Sequence, residues 1–343
     1  MPIYLNGKSS NHEPLAPEPS GRCLHIGLIN NMADAALEAT ERQFHKLLDE
    51  AADGVLVRLS FFALPDVPRN LAGRLHIRHS YSGFESLWTS QLDGLIVTGR
   101  EPRTPNLKDE PYWANLTRVV DWAKENTHST VWSCLAAHAA LLHLDGIARR
   151  KSNQKRCGVL ECERLSDHAL LEDVPLNLKV PHSRWNDISE SELTARGYSA
   201  LTRAQDAGVD AFVKRHPSLF VFFQGHPEYE SDTLLLEYRR DVGRYLRGET
   251  DTYPSIPQAY FDEDTAHALT ALQEKAVSGR RDGLLEDLAA TMGKSTVPNT
   301  WHSTARCVYR NWLRYIGRQK ETRSRRSQFA ANCTAEELVH PPL

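Results

Sequence analysis

Residues 129–142 read STVWSCLAAHAALL, so a β-branched and aromatic run gives way at Cys134 to small, helix-forming residues. This change predicts a strand, a sharp turn and a helix. Such a turn lifts a thiol above the end of a sheet and places it at a helix N-terminus. There the helix dipole and the free backbone N–H groups favour a thiolate and a developing oxyanion. Cys134 is therefore a candidate nucleophile.

A second strand-like run ends in a histidine and a glutamate. Residues 218–230 read SLFVFFQGHPEYE, an apolar segment that runs into Gly225 and continues through His226 and Glu228. Residues two apart in an extended segment project to the same side, so the carboxylate can hold the imidazole in one tautomer. His226 would take the thiol proton and Glu228 would orient the base, as in nucleophilic triads on unrelated folds. The pattern predicts acyl-transfer chemistry.

Each motif alone also has a structural interpretation. A lone cysteine in an apolar stretch is more often a small buried hydrophobe than a nucleophile. A histidine before proline at a strand end is often only a turn residue. The occurrence of both motifs, each after a strand-like run, favours the catalytic interpretation.

The composition is that of an ordinary soluble globular protein. The chain has 343 residues and a formal charge of −3, so no basic field would recruit nucleic acid or anionic lipid. The N-terminal segment lacks the order of a signal peptide, and no stretch approaches the roughly 20 apolar residues of a membrane span. We therefore expect a cytoplasmic protein. Neither GxGxxG nor GxxxxGK[ST] occurs, so no nucleotide site is predicted.

The cysteines predict neither a disulfide framework nor a metal site. They are scattered, with no CxxC pair and no histidines at zinc-ligand spacing. Only Cys134 has flanks that indicate a strand-to-helix turn. The six are Cys23, Cys134, Cys157, Cys162, Cys307 and Cys333.

Strands alternate with helices over the first half of the chain. The predicted strands are CLHIGLIN, VLVRLSFFAL and LDGLIVTG, and an amphipathic helix over DAALEATERQFHKLLDEAA separates the first two. This rhythm predicts an α/β fold with a doubly wound, mostly parallel sheet and flanking helices. Reactive groups gather at the carboxyl ends of such strands, which is where Thr98, Cys134 and His226 fall.

The pattern changes from Gly158 to Phe223. Short strand-like runs there predict an antiparallel extension of the same sheet, and amphipathic helices follow over DTLLLEYRRDVGRYLRG and STARCVYRNWLRYIGRQ. We expect an extended N-terminal arm over 1–21, a single α/β domain over 22–319 and a disordered tail over 320–343. The arginines of that tail are expected to be solvated.

Eight motifs occur in a recognisable order along the chain. They are INNMADAALEATERQFHKLL, LDGLIVTG followed by YW, DW, SCLAAHAAL, KRCGVL, PHSR, GHPEY followed by EYRRD, and TWHSTARCVYRNWL. Their order resembles the homoserine O-acyltransferase family of methionine biosynthesis, which comprises O-succinyltransferases and O-acetyltransferases. The resemblance implies a class I glutamine-amidotransferase-like fold. The closing TW…NWL segment favours the acyltransferases over true amidotransferases.

The resemblance implies a ping-pong reaction and no metal or redox cofactor. Cys134 would accept the acyl group from an acyl-CoA co-substrate, with His226 as base and Glu228 as its partner. The acyl-enzyme would then pass the group to the side-chain hydroxyl of homoserine. The implied partners are small-molecule substrates and a second copy of the chain in a homodimer.

Three further residues match positions that contact the amino-acid substrate in the family. They are Lys155, Ser183 and Arg240. A guanidinium suits an α-carboxylate, and a hydroxyl suits the amino or hydroxyl end. The alternative for each is an ordinary surface group or an ion pair within a helix, for example between Arg240 and Glu237.

The chain departs from the family pattern where the acyl donor is tuned. Arg103 stands at a position where glycine accompanies succinyl transfer and glutamate accompanies acetyl transfer. A guanidinium would pair with the distal carboxylate of a succinyl group, so succinyl-CoA is favoured over acetyl-CoA. The segment after Asn31 is longer than usual and lacks a lysine, which predicts a rebuilt oxyanion and acyl-CoA region. His138 replaces a common glutamine, and WHS at 301–303 replaces an arginine-containing version.

These departures leave three alternatives open. The acceptor could be another hydroxy amino acid, such as serine. A glutamine-dependent amidotransferase or related hydrolase would use the same triad, but its glycine-rich nucleophile turn is not matched by Leu135 and Ala136. A non-catalytic binding module would be expected to have lost one member of the triad, and all three are present.

Overall fold

The computed structural model describes residues 3–5, 23–279, 283–293 and 295–339. The strands among these residues are β1 (Ile3–Leu5), β2 (Cys23–Ile29), β3 (Leu56–Phe62), β4 (Gly94–Thr98), β5 (Ser129–Ser133), β6 (Arg150–Arg164), β7 (Asn177–Asp187), β8 (Ser199–Ala200), β9 (Thr202–Ala204), β10 (Gly208–Val209), β11 (Ala211–Arg215) and β12 (Leu219–Phe223). The α-helices are α1 (Leu37–Ala51), α2 (Leu71–Ser80), α3 (Trp113–Asn126), α4 (Leu135–Asp145), α5 (Glu190–Ala195), α6 (Thr233–Leu246), α7 (Glu263–Val277), α8 (Leu284–Met292) and α9 (His302–Val339).

The described residues divide into two compact units. The first lies within Met1–Val131, Arg215–Val221 and Val308–Leu343, and the second lies within Trp132–Lys214 and Phe222–Cys307. Residues 22–319, which are predicted to form one domain, include residues of both units. An eight-stranded sheet has the strand order β1-β3-β2-β4-β5-β12-β11-β8, and a separate four-stranded sheet has the order β10-β9-β6-β7.

The first unit contains the predicted βαβ rhythm. β3 pairs in parallel with both β1 and β2, and β2 pairs in parallel with β4. All five residues of β4 are buried, as expected for a parallel strand covered on both faces. The buried positions of α1 include Leu37, Phe44, Leu48 and Ala51, which recur at helical spacing on one face. The predicted α/β class with a mostly parallel sheet and flanking helices is confirmed.

Both ends of the chain differ from the expectation where they are described. Ile3–Leu5, within the predicted arm, pairs with β3, while the rest of 1–21 lies outside the described residues. The predicted disordered tail is instead a continuation of α9 to Val339, and 340–343 lie outside the described residues. Lys320 anchors the first part of that continuation. Its Nζ donates to Asp93 at 2.8 Å and to the Cys23 carbonyl oxygen at 2.7 Å.

The antiparallel strands of the second unit form their own sheet, so the prediction of an extension of the main sheet is wrong for them. β6 and β7 pair antiparallel in a register that sets Gly158 opposite His182 and Cys162 opposite Leu178. β11 and β12, which belong to the same predicted run, are strands of the eight-stranded sheet. Short alternating runs fit either sheet, because strand pairing between distant segments leaves no local signal.

Three helices of the second unit, α6, α7 and α8, pack around one apolar cluster. Its buried members come from α6, α7, α8 and the loop after α6, and include Tyr238, Val242, Leu269 and Leu288. Only α6 had been predicted from its amphipathic pattern. Over the described ranges, no helix is both long enough and apolar enough to span a membrane.

Candidate active site

Cys134 lies at the turn between β5 and α4. Its backbone φ of 51° and ψ of −116° is a combination that residues with a Cβ atom rarely adopt. The Cys134 N–H donates to the Phe223 carbonyl oxygen at 2.8 Å, and the Cys134 carbonyl oxygen accepts from the Ala137 N–H at 3.0 Å. The predicted strand, sharp turn and helix are therefore present, with the thiol at the helix N-terminus.

His226 and Glu228 form a buried pair beside Cys134. The imidazole Nδ1 lies 2.9 Å from Glu228 Oε1, and the Ser133 hydroxyl donates to the same oxygen at 3.3 Å. The imidazole also hydrogen-bonds to the Cys134 side chain. The structure thus brings the three predicted catalytic residues together in the order thiol, imidazole, carboxylate.

The surroundings of His226 raise its pKa well above the ordinary value. Burial by itself would lower this pKa, because it disfavours the charged imidazolium. The negative charges of Cys134 and Glu228, and the hydrogen bonds to both, outweigh burial. The geometry therefore favours an imidazolium next to the nucleophile.

Tyr229 contacts the candidate base His226 and was not predicted from the sequence. Its ring stacks on the His226 imidazole, with centroids 4.2 Å apart and planes at 17°. Its hydroxyl donates to Glu237 Oε1 at 2.6 Å. Both residues stand in quoted motifs, GHPEY and EYRRD, but nothing in the sequence indicates that they bond to each other.

Glu237 contacts two of the predicted substrate-binding residues. The Ser183 hydroxyl donates to Glu237 Oε2. Lys155 Nζ lies 3.7 Å from the same oxygen and donates to Asp241 Oδ2 at 2.8 Å. Burial would raise the pKa of Glu237, but the charge of Lys155 and the hydroxyls of Ser183 and Tyr229 keep it below the ordinary value. Burial would lower the pKa of Lys155, but Glu237 and its other neighbours raise it.

Arg240 has a more exposed position than the other predicted substrate contacts. Its side chain is 51% exposed, and Nη2 lies 2.8 Å from Asp241 Oδ1. Asp241 is thus shared by Arg240 and Lys155. Two cations and a hydroxyl therefore surround the Glu237–Asp241 pair on one side of α6.

Arg103 is an exposed residue of the first unit. Its backbone N–H donates to Glu110 Oε1 at 2.5 Å, and the Thr104 N–H donates to the same oxygen at 2.8 Å. Glu110 is buried, and it fixes the backbone of the loop that carries the exposed Arg103.

The loop after β2, predicted to be rebuilt, is anchored at two points within the first unit. The Asn31 N–H donates to Thr98 Oγ1 at 2.9 Å, and the Asn31 side-chain amide donates to the Thr98 carbonyl oxygen at 3.0 Å. Arg69 donates to the Met32 carbonyl oxygen, and its Nη1 lies 3.2 Å from Asp34. Arg69 is thus a cation that braces a loop which itself has no lysine.

The other two departures from the family pattern contact the segment that carries His226. His138 is buried on α4 and hydrogen-bonds to the Gln224 side chain, and burial lowers the pKa of His138 to about 3. The Trp301 indole N–H donates to the Tyr229 carbonyl oxygen at 2.8 Å. Both side chains therefore act on residues 224–229.

A buried cluster of potential metal ligands lies in the second unit and was not predicted. Donor atoms of Cys162, His182 and Asp210 all lie within 4.8 Å of one another. However, the Arg184 Nε–H donates to His182 Nδ1 at 3.1 Å, which assigns the imidazole proton to Nε2, the nitrogen that faces Asp210. A divalent cation would have to displace that proton beside a guanidinium. We therefore interpret His182 and Asp210 as a buried pair in electrostatic contact, with Nε2 and Oδ1 3.4 Å apart, and assign no metal to the cluster.

Comparison with known proteins gives matches over most of the chain. The family model described as homoserine O-succinyltransferase matches residues 9–323. A homoserine O-succinyltransferase of Rhodopseudomonas palustris is 50% identical over 294 residues, covering 86% of this chain and 88% of that protein. One of Methylorubrum extorquens is 45% identical over 300 residues, covering 88% and 89%. A glutamine amidotransferase structure from Methylobacillus flagellatus is 14% identical, with a TM-score of 0.48, and covers 86% of this chain and 96% of that one.

Proposed function

The chain belongs to the homoserine O-succinyltransferase family, and from that premise we propose that it transfers a succinyl group from succinyl-CoA to the side-chain hydroxyl of homoserine. The observation that carries the mechanism is the hydrogen-bonded series Cys134, His226 and Glu228 at a strand-to-helix turn. Within this proposal the enzyme is an acyltransferase of methionine biosynthesis. Its reaction uses acyl-CoA as a co-substrate and the protein's own side chains.

The first half-reaction forms a thioester on Cys134. The thiolate attacks the carbonyl carbon of the succinyl thioester, and the tetrahedral intermediate collapses with loss of the CoA thiolate. The imidazolium of His226 gives its proton to that thiolate, so CoA leaves as the free thiol and His226 becomes neutral. The backbone N–H groups at the N-terminus of α4 would stabilise the oxyanion.

The second half-reaction passes the succinyl group to the acceptor. Neutral His226 takes the proton of the acceptor hydroxyl as its oxygen attacks the Cys134 thioester. Collapse of the intermediate releases the O-succinyl ester and restores the Cys134 thiolate beside the His226 imidazolium. His226 thus gives one proton to CoA in the first half-reaction and takes one proton from the acceptor in the second.

Acylation itself prepares His226 for the second step. The negative charge of Cys134 is a main cause of the raised pKa of His226, together with that of Glu228. A thioester is neutral, so acylation of Cys134 removes one of the two negative charges next to His226. The pKa of His226 is therefore lower in the acyl-enzyme. The imidazole is then neutral when the acceptor hydroxyl needs a base.

The acceptor amino acid would be recognised by the charges around α6. The guanidinium of Arg240 and the ammonium of Lys155 are suited to the α-carboxylate, and the hydroxyl of Ser183 is suited to the amino or hydroxyl end. Lys155 and Ser183 both contact Glu237, whose partner Tyr229 stacks on the base. The proposed acceptor site is therefore continuous with the catalytic triad through hydrogen bonds and one ring stack.

We propose succinyl-CoA as the donor in preference to acetyl-CoA. The curated relatives quoted above carry the name O-succinyltransferase. The exposed guanidinium of Arg103 supplies a positive charge suited to the distal carboxylate of succinyl. A homodimer in the cytoplasm remains our expectation from the family.

The test is the intact mass of the protein after mixing with succinyl-CoA or acetyl-CoA in the absence of acceptor. We expect a succinyl adduct that is absent from Cys134→Ala and is discharged by homoserine. Serine, shorter by one methylene, should discharge it about 10- to 200-fold less efficiently. An adduct with acetyl-CoA alone would overturn the donor, and equal discharge by serine would overturn the acceptor. No adduct with either donor, together with release of ammonia from glutamine, would favour the amidotransferase-like alternative.

A further inference from the structure

The backbone immediately before the catalytic base is fixed by a buried carboxylate that the mechanism above does not use. The Gly225 N–H donates to Asp210 Oδ1 at 3.0 Å. Asp210 is 2% exposed, and its other oxygen accepts from the Thr202 hydroxyl at 2.9 Å. The Gln224 N–H donates to the Asp210 carbonyl oxygen at 2.9 Å. Asp210 therefore binds two consecutive residues that lead into His226.

Two further buried groups support Asp210. His182 Nε2 lies 3.4 Å from Asp210 Oδ1, and His182 Nδ1 accepts from Arg184 Nε at 3.1 Å. Arg184 also donates to the Ala207 carbonyl oxygen at 2.7 Å and to Gln224 Oε1 at 3.4 Å. The Asp210 carboxylate thus contacts His182, which is bonded to Arg184, and it also contacts the segment that leads to His226.

Residue 225 must be glycine because three buried side chains lie close to its Cα atom. A Cβ atom at this position would lie 2.6 Å from Val180 Cγ1, 2.8 Å from Asp210 Oδ1 and 3.0 Å from His182 Nε2. These are side-chain atoms of three buried residues, so at least one side chain would have to shift to admit a Cβ atom. The same segment is held from the other side, since the His226 N–H donates to the Pro181 carbonyl oxygen at 2.8 Å.

A buried carboxylate of this kind is a poor choice for stability alone. Burying an ionised group is unfavourable unless it is paired and hydrogen-bonded, and apolar packing often serves a core equally well. Burial raises the pKa of Asp210, while Thr202, the Gly225 amide and the positive charges of Arg184 and His226 act in the opposite direction. The carboxylate is thus one of the charges that His226 experiences.

We propose that Asp210 is a positioning residue for the catalytic base, which it places through the Gly225 amide and to which it presents a second negative charge beside that of Glu228. This inference rests on the proposed function only in assigning His226 as the base. Asp210 makes its hydrogen bonds with Thr202, Gly225 and Gln224. Its action on the reaction passes through the backbone and the field at His226.

The sign of the effect on pH dependence follows from the groups that face His226. These are Cys134 from the start of α4, Glu228 and Tyr229 from its own segment, Glu237 from α6, His182 from β7 and Asp210 from the turn before β11. Removing the charge of Asp210 lowers the pKa of His226. The imidazolium is then lost at lower pH, so the basic limb of the acylation rate moves to lower pH.

The first variant is Asp210→Asn, which keeps the shape and removes the charge. Asp206→Asn is the matched control, because it makes the same change at an exposed position four residues earlier. The readout is the rate of CoA release from succinyl-CoA, measured from about pH 5 to 10, with thermal unfolding of each variant. For Asp210→Asn we expect about a tenfold lower rate at neutral pH and a basic limb moved down by about one unit. Asp206→Asn should match the wild type.

A second pair of variants tests the same inference if Asp210→Asn does not fold. Thr202→Val removes the hydroxyl bonded to Asp210 Oδ2, and Thr202→Ser retains it. We expect Thr202→Val to slow CoA release and Thr202→Ser to restore most of the rate. Folded variants of both residues with wild-type rates and an unmoved basic limb would overturn the inference. A wild-type protein that releases no CoA from succinyl-CoA would instead overturn the proposed function.

Discussion

The ring of Tyr229 lies parallel to the imidazole of His226, with the two centroids 4.2 Å apart. The same tyrosine donates its hydroxyl to Glu237, the carboxylate that also receives Ser183 and Lys155. One side chain thus contacts the base with its face and the proposed acceptor site with its hydroxyl. These two contacts can be separated by mutation.

Tyr229→Phe removes the hydroxyl and retains the stack. We expect the rate of CoA release to stay near the wild-type value, while kcat/KM for homoserine falls about tenfold, because Glu237 loses a hydrogen bond to a charged acceptor worth about 1.5 kcal/mol. Tyr229→Leu removes both contacts and should slow both half-reactions. Rapid-mixing assays of each half-reaction give the two rates. Equal slowing of both half-reactions in Tyr229→Phe would contradict this separation.

Glu228→Gln tests the carboxylate that orients the base. The amide cannot supply the negative charge that raises the pKa of His226, so kcat should fall by about 10²- to 10⁴-fold. The pKa of His226 should fall as well, which moves the basic limb of CoA release to lower pH. Ser133→Ala is the graded control, since it removes only the 3.3 Å bond to Glu228 and should have a much smaller effect. Wild-type kcat in Glu228→Gln would rule out this role.

Cys134→Gly should be more stable than Cys134→Ala. The Cys134 backbone lies in a region that glycine adopts freely and that alanine does not, so about 1 kcal/mol of strain should be released. Urea unfolding of both inactive variants gives the difference. Ala139→Gly, in the body of α4, is the opposite control and should lower the free energy of unfolding by about 1 kcal/mol or more. If alanine proved the more stable residue at 134, the strain would not exist.

Lys155→Met should destabilise the folded protein near neutral pH by about 3 kcal/mol, since Glu237 would be left buried without its cation. In the wild type the pKa of Glu237 lies below its unfolded value. Its contribution is therefore present above the ordinary glutamate pKa and is lost as the pH falls through the folded value. In Lys155→Met burial dominates, the pKa rises, and the difference from wild type should shrink on acidification. Urea unfolding at about pH 4 and 7, with the exposed Lys179→Met as control, measures both effects.

Arg103→Glu tests the acyl donor. Reversing the charge should raise KM for succinyl-CoA about tenfold or more and leave acetyl-CoA less affected, because only succinyl carries a distal carboxylate. Lys108→Glu makes the same reversal at another exposed residue of this region and should change neither KM. Unchanged succinyl-CoA turnover in Arg103→Glu would remove this residue from the donor site.

Local pattern was enough to predict the parts of the molecule that depend on neighbours in sequence. The run that ends at Cys134 changes abruptly in composition, and His226 and Glu228 lie two residues apart, so their geometry is local. The separate sheet of β6 and β7 depends on pairing such as Gly158 with His182, which no local pattern encodes. Glu237 and Asp210 were missed for the same reason. Their partners lie in other strands and loops, and a glutamate on an amphipathic helix or an aspartate after a short strand gives no sign of burial.

The Cys134 N–H bonds to the Phe223 carbonyl oxygen, at the end of the strand that leads to His226. The segments that carry Cys134 and His226 are therefore joined by main-chain atoms, and this link does not depend on which side chain occupies either position. A different nucleophile at 134, such as the hydroxyl of serine or the selenol of selenocysteine, would be presented to the same imidazole at nearly the same place. The backbone would therefore hold an oxygen or selenium nucleophile where it now holds the Cys134 sulfur. Differences in rate between such variants would then reflect mainly the intrinsic reactivity of the nucleophilic atom.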